Sequence, residues 1–217
     1  MDLTQFSPSS ALITVVLLAL APYAAVMVTS FTKIVVVLSL LRNALGLQQV
    51  PPNVVLNGLA LVLSVYVMYP VGQQMAERAA AVPNVSTSTS GMLAAADAAK
   101  EPLREFMVKH AQPRERAFFL KTAQKALPAD KAAALTDRDF IVIVPAFTVT
   151  ELATAFQIGF LIFLPFLVVD LIVSNILMAM GMMMLSPTTV SLPFKLLLFV
   201  LIDGWVKLTH GLVLTYQ

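Results

Sequence analysis

Charge is confined to one stretch of this chain. Residues 77–139 carry 18 of its 26 Lys, Arg, Asp and Glu side chains, and the long flanks hold only Asp2, Lys33, Arg42, Glu151, Asp170, Lys195, Asp203 and Lys207. Flanks this poor in charge cannot be wrapped in polar side chains, so they must bury their surface in lipid or against other helices. The chain is 59% hydrophobic and 12% charged, against about 45–50% and about 25% for a soluble domain. A net charge of +2 is too small to point to a nucleic-acid partner. The absence of cysteine excludes a disulfide framework and a Cys-based metal or redox site.

Residues 11–32 form an uncharged apolar run, long enough to cross a hydrocarbon core that needs about 20 helical residues. Pro22 inside the run predicts a kink. Lys33 and Arg42 follow within sequence that is still apolar, and Gly46 is expected to end that helix. Pro51-Pro52-Asn53 forces an extended or turned entry into a helix over 53–71, ending near Pro70 and Gly72. Under the positive-inside bias, Lys33 and Arg42 place the bend between the two helices in the cytoplasm. The first ten residues hold Asp2 and no base, unlike a cleavable signal, so the first apolar segment is read as retained.

In the polar stretch, 85–91 is Ser/Thr-rich and reads as a mobile loop. Leu103, Phe106, Met107 and His110 recur at helical spacing. Pro113 suits the first turn of a second helix, anchored by Phe118, Phe119 and Leu120 and ended by Pro128. Charges alternating in sign have the look of a solvated face. The β-branched run 140–144 is expected to be extended. Thr148 and Glu151 fit a capping box opening a helix that runs to about Ala179, with a kink at Pro165. Pro193 is expected to open a last helix carrying Lys195, Asp203, Trp205, Lys207 and His210. The expected fold is all-α and forms a membrane-associated oligomer. Two long kinked apolar helical hairpins, residues 1–76 and 146–217, flank a smaller helical polar insert, residues 77–145.

Between the last two apolar segments lies Gly181-Met182-Met183-Met184-Leu185-Ser186-Pro187. Three consecutive methionines cannot share one helical face, and Gly181 before them with Ser186-Pro187 after them marks a turn. Thioether side chains fill irregular gaps and yield without losing contact, which suits a seal; the plainer alternative is ordinary packing. Asp170 is alone in 166–180 and Lys195 alone in 190–202. They lie 12 residues before Met182 and 11 after Met184. Antiparallel arms bring them to similar depth, where they form an ion pair or are solvated separately in an aqueous lumen. Asp203 and Lys207, four apart, suit a local pair. The sequence offers no Gly-rich phosphate loop, no HExxH and no Ser/His/Asp grouping. His110 reads as an amphipathic-helix residue and His210 as an interfacial one, and the two fall in different blocks. No metal site, cofactor or enzymatic activity is expected.

Several segments carry a resemblance. They are Ser30-Phe31-Thr32-Lys33, Leu41-Arg42-Asn43-Ala44-Leu45-Gly46, Pro51-Pro52-Asn53, Pro102-Leu103-Arg104-Glu105-Phe106-Met107 and Ala155-Phe156-Gln157-Ile158-Gly159-Phe160. With them go Phe163-Leu164-Pro165-Phe166-Leu167-Val168-Val169-Asp170-Leu171, Gly181-Met182-Met183-Met184, Leu192-Pro193-Phe194-Lys195 and Asp203-Gly204-Trp205. In this order they resemble the FliP/SctR family, export-apparatus proteins of flagellar and injectisome type III secretion systems. The resemblance implies a pentamer that joins smaller Q-type and R-type subunits at the bacterial inner membrane. Together they form the entry portal for unfolded protein substrates. Much of that assembly sits on the periplasmic side, its apolar helices buried against neighbours; plain hydropathy would give about four spanning helices. Met182, Met183 and Met184 resemble the family's methionine gasket, and Asp170 and Lys195 match charged family positions. The lack of a basic start favours the injectisome branch. Two rival readings stand beside this one. The first is a stand-alone ion or solute transporter of the inner membrane, with Asp170, Lys195 and Asp203 as a relay. The second is a Cu(I)-handling protein, disfavoured because consecutive methionines diverge and no cysteine assists.

Overall fold

A computed structural model of the chain describes residues 8–83, 89–182 and 184–217. The described residues form helices and no strands. They are α1 (Pro8–Val28), α2 (Phe31–Ala44), α3 (Asn53–Ala80), α4 (Thr89–His110), α5 (Pro113–Ala126), α6 (Ala129–Ala134), α7 (Phe140–Ala179), α8 (Pro187–Leu201) and α9 (Gly204–Leu214). Met183, most of the 85–91 loop and Asp2 lie outside the described residues.

The organising helix is α2. Ile34, Val37, Leu38 and Leu41 recur at helical spacing and are fully buried, because α2 packs against both α3 and α7. Gly159 allows that approach: a Cβ there would lie 2.2 Å from Leu40 Cδ1, so a side chain would have to displace Leu40 from the α2–α7 contact. One core cluster joins Ile34, Val37 and Leu38 to Leu56, Ala60, Ala155 and Leu212. A second joins Phe106 and Met107 of α4 to Ile143, Phe147 and Tyr216. A third joins Leu41 and Leu45 to Phe166 and Phe199.

Much apolar surface stays uncovered. The chain exposes 14109 Å², against about 9,700 Å² for a soluble globular chain of 23.4 kDa. The excess is greasy: Val54, Phe160, Leu161, Val200 and Leu201 all face outward. Helices α3 and α7 are each long and apolar enough to cross a membrane, and the bent pairs α1–α2 and α8–α9 add two more if each pair is one span.

Several expected boundaries move. Segment 140–144 is not extended but forms the first turns of α7. Its β-branched residues are recruited because Val142, Ile143, Ala146 and Phe147 lie on one buried helical stripe; tertiary burial overrides local propensity. Pro145 is absorbed inside the helix. Thr148 and Glu151 therefore sit in the helix interior and form no capping box; the Thr148 hydroxyl donates to Val144 O at 2.8 Å. Helix α3 runs on to Ala80, through Pro70 and Gly72, where it was expected to stop. Pro193 is interior to α8, and Pro187 supplies the first helical position. The expected last helix is two, bent by 60° at Asp203, whose φ of 52° is left-handed. The other sharp change of direction, 69° between α1 and α2, comes at Thr29–Ser30, whereas α1 runs through Pro22 and α7 through Pro165. Phe118 is exposed and meets the ring of its neighbour Phe119 at 5.3 Å rather than the core. Helices α3 and α7 each run across a boundary between hairpin and insert.

Candidate functional site

The α7–α8 turn is built by backbone rules. Gly181 adopts φ +72°; its N–H donates to Met178 O at 3.0 Å and the Met182 N–H to Leu177 O at 2.9 Å. This is a Schellman closure, which needs a residue free of Cβ strain at the left-handed position. Gly46 closes α2 the same way, at φ +80°, with Gly46 N–H to Asn43 O and Leu47 N–H to Arg42 O. Beyond Gly181 the chain turns over Met182 and Met184 and restarts at Ser186-Pro187. Met184 is wholly exposed and Met182 is 41% exposed; Met183 is not among the described residues. Behind the turn, Ile172, Val173, Ile176, Met180, Met182 and Phe194 line an apolar groove of about 580 Å³.

A polar clamp lies beneath the turn. Lys195 Nζ donates to Asp170 Oδ2 at 2.6 Å and the Ser191 hydroxyl donates to Asp170 Oδ1 at 2.5 Å, so both carboxylate oxygens are satisfied. Lys195 Nζ also donates to Ala44 O at 3.3 Å. That carbonyl belongs to the last turn of α2, where unpaired carbonyls and the helix dipole favour a cation. The clamp thereby ties α2, α7 and α8 together about 18 Å along the helices from the methionines.

A second polar cluster, hidden from sequence reasoning, sits deeper. Lys33 Nζ donates to Glu151 Oε1 at 3.2 Å, and the side chains are 4% and 2% exposed. The Tyr216 hydroxyl donates to Glu151 Oε2, and its ring lies 3.7 Å under Lys33 Nζ. Tyr216 in turn meets the rings of His110 at 5.1 Å and Phe106 at 5.9 Å. Ser30 and Ser64 hydrogen-bond at 3.0 Å beside it. The cluster joins α2, α3, α4, α7 and the segment after α9. Burial, with the positive charges of Lys33 and Lys109, pushes the His110 imidazole down to about 4. Lys33 is therefore buried against Glu151 and is not part of a solvated bend. The signal that could have found Glu151 is its place on the stripe of Val142, Ile143, Ala146, Phe147 and Thr150, where a lone acid needs a buried base.

The remaining charged candidates separate. Arg42 Nη1 donates to Asn53 Oδ1 at 2.6 Å and to Pro51 O at 3.3 Å, so it fixes the Pro51-Pro52-Asn53 entry into α3. Asp203 and Lys207 form no salt bridge: Asp203 lies at the bend, outside the helical geometry that aligns i and i+4, and its carbonyl accepts the Lys207 N–H instead. Among the described residues no three His, Asp or Glu converge as metal ligands.

The FliP family profile matches residues 13–212. The chain is 54% identical to the hypersensitivity response secretion protein HrcR of Ralstonia nicotianae, over 96% of this chain and 97% of that one. It is 52% identical to the Yop proteins translocation protein R of Yersinia pestis, over 92% of each chain. Identity to the flagellar biosynthetic protein FliP of Bacillus subtilis is 44%, over 91% of this chain and 87% of that one. The profile match and the near-complete coverage show that the chain belongs to the FliP family of type III secretion export-apparatus proteins, and its relatives at 52–54% identity put it on the injectisome side.

Proposed function

We propose that the chain is a pore subunit of the type III secretion export apparatus at the bacterial inner membrane. Several copies, five as the family resemblance implies, clasp one another by their apolar helices around an axial entry portal for unfolded protein substrates. The Q-type and R-type subunits complete that portal, much of it on the periplasmic side. The collar of Met182, Met183 and Met184 closes it at rest, and the subunit works mechanically, without catalysis or a cofactor.

The observation that carries this reading is the Met turn. The Met184 thioether stands bare at the tip of a closed hairpin, on a backbone turn fixed by Gly181, with a salt-bridged clamp joining the two arms below it. A methionine wholly exposed there has no packing role within its own chain. A ring of copies would give it one, and would cover apolar area that the single chain leaves open. Unbranched sulfur side chains pack tightly yet rearrange readily, as a plug for a polypeptide channel requires.

The test replaces Met182, Met183 and Met184 together with Ala in the assembled complex. Leakage of small solutes across the membrane should rise while secretion persists. An intact assembly that leaks no more than the unsubstituted one contradicts the gasket.

A further inference from the structure

All the sulfur in this chain is thioether: it has 11 methionines and no cysteine. An oxidant that seeks sulfur therefore meets methionine alone, and attack follows exposure. Met107 is fully buried in the core, whereas Met184 is 100% exposed at the tip of the α7–α8 turn. Met27, Met92, Met178 and Met180 are exposed to lesser degrees. In the ring proposed above the tip faces the channel, so a small oxidant dissolved in channel water reaches it without unfolding the chain.

The reaction needs no protein catalyst. A sulfur lone pair of Met184 attacks one oxygen of hydrogen peroxide, and an S–O bond forms as the O–O bond breaks. The proton of the transferred oxygen passes to the departing hydroxide, which leaves as water. Sulfur gives up two electrons and the peroxide takes them. The product is a sulfoxide, polar where the thioether was apolar.

The surroundings of the turn set the consequence. The groove behind it is lined by apolar side chains only, from Val169 and Ile172 to Val190 and Phe194, and Met182 forms part of its wall. It offers a sulfoxide oxygen no side-chain donor, and burying a polar group without a partner is costly. The outer side of the turn is the opposite. The Ser186 and Thr188 hydroxyls are exposed and share one hydrogen bond of 2.8 Å. Whichever of them donates, the other keeps a proton to give. The turn thus suits a thioether on its inner side and a sulfoxide on its outer side. A hydrophobic constriction stays shut by excluding water, and an oxygen placed in it lets water in.

We propose that the Met182–Met184 turn is an oxidation-sensitive seal: a peroxide-class oxidant converts the exposed Met184 thioether to its sulfoxide, and the added oxygen opens the channel to small solutes. This rests on the gasket reading above and adds a chemical control to it.

The test places the purified complex in lipid vesicles loaded with a small dye and adds hydrogen peroxide. Peptide mass analysis should show one added oxygen on Met184 while Met107 stays unchanged, and dye leakage should rise several-fold. The variant Met182→Leu, Met183→Leu and Met184→Leu keeps the other exposed methionines but has no sulfur at the turn. Peroxide should leave its leakage where it stood before treatment. Met184 still unoxidised when Met107 has reacted, oxidation of Met184 without a rise in leakage, or an equal rise in the Leu variant overturns the proposal. Each of these results leaves the pore reading standing, because that reading is judged by leakage of the Ala variant with no oxidant present.

Discussion

Two ion pairs fasten α7 to its neighbours, and they are built differently. Lys33–Glu151 is sealed: neither side chain is more than 4% exposed, and Tyr216 occupies the second carboxylate oxygen. Asp170–Lys195 is shorter, at 2.6 Å, but the Asp170 side chain is 25% exposed and its second oxygen takes the Ser191 hydroxyl. In a sealed pair, losing one partner strands a charge with no water to receive it. In a half-open pair, water can enter and soften the loss. The sealed pair thus holds the chain's own core. The half-open pair joins the two arms that carry the turn, about 18 Å from it, and so helps to aim what the proposed assembly must hold in place.

That contrast can be broken at its strongest point first. Glu151→Ala strands Lys33, which costs about 3–5 kcal/mol, a large part of the about 5–15 kcal/mol that typically holds a domain folded. The level and protease resistance of the detergent-extracted protein should fall sharply, and Lys33→Met with Glu151→Leu should recover most of both. A single variant as resistant as the unsubstituted chain would mean that the pair is not sealed.

Lys195→Ala should cost less, about 2–3 kcal/mol, because Asp170 can take up water. Its readout is the yield of assembled complex, and the swap Asp170→Lys with Lys195→Asp should restore part of it. Full assembly by the single variant would remove the clamp from the account.

Tyr216→Phe keeps the ring against Phe106, His110 and Lys33 but removes one hydrogen bond to Glu151. A loss of about 1–2 kcal/mol, read as an earlier thermal unfolding midpoint, is expected. No shift would mean that Lys33 alone satisfies Glu151.

The smallest effect concerns acid. His110, held down to about 4, binds a proton more weakly folded than unfolded, where its value is about 6.5. Stability therefore falls as pH drops from about 6.5 towards 4 and rises again on the way back. His110→Gln should flatten that part of the unfolding profile, and an unchanged slope would assign it to other groups.

The helical class and the closure at Gly181 were legible because each rests on a local rule: composition with hydrophobic period, and a left-handed glycine. Equal spacing about the turn also brought Asp170 and Lys195 to one depth, a matter of counting. Glu151 was misread because Thr148-x-x-Glu151 satisfies a capping pattern wherever it occurs, and only the start of the helix at Phe140 decides that it is interior. That start is set by burial of Ile143, Ala146 and Phe147 against α4 and the segment after α9, contacts between residues far apart in the chain. The break at Asp203 escaped for a similar reason. Asp203 is a non-glycine in left-handed geometry, and the helix after it begins with Gly204 pressed against the Phe199 ring, a contact that no periodicity announces.

A particle-averaged image of the purified complex tests the central claim most directly. The account predicts five copies around one axis, their outward apolar faces buried against neighbours and the Met182 and Met184 sulfurs lining a constriction on that axis. A monomer coated by lipid on every side, or a ring with those sulfurs on its outer rim, would contradict it.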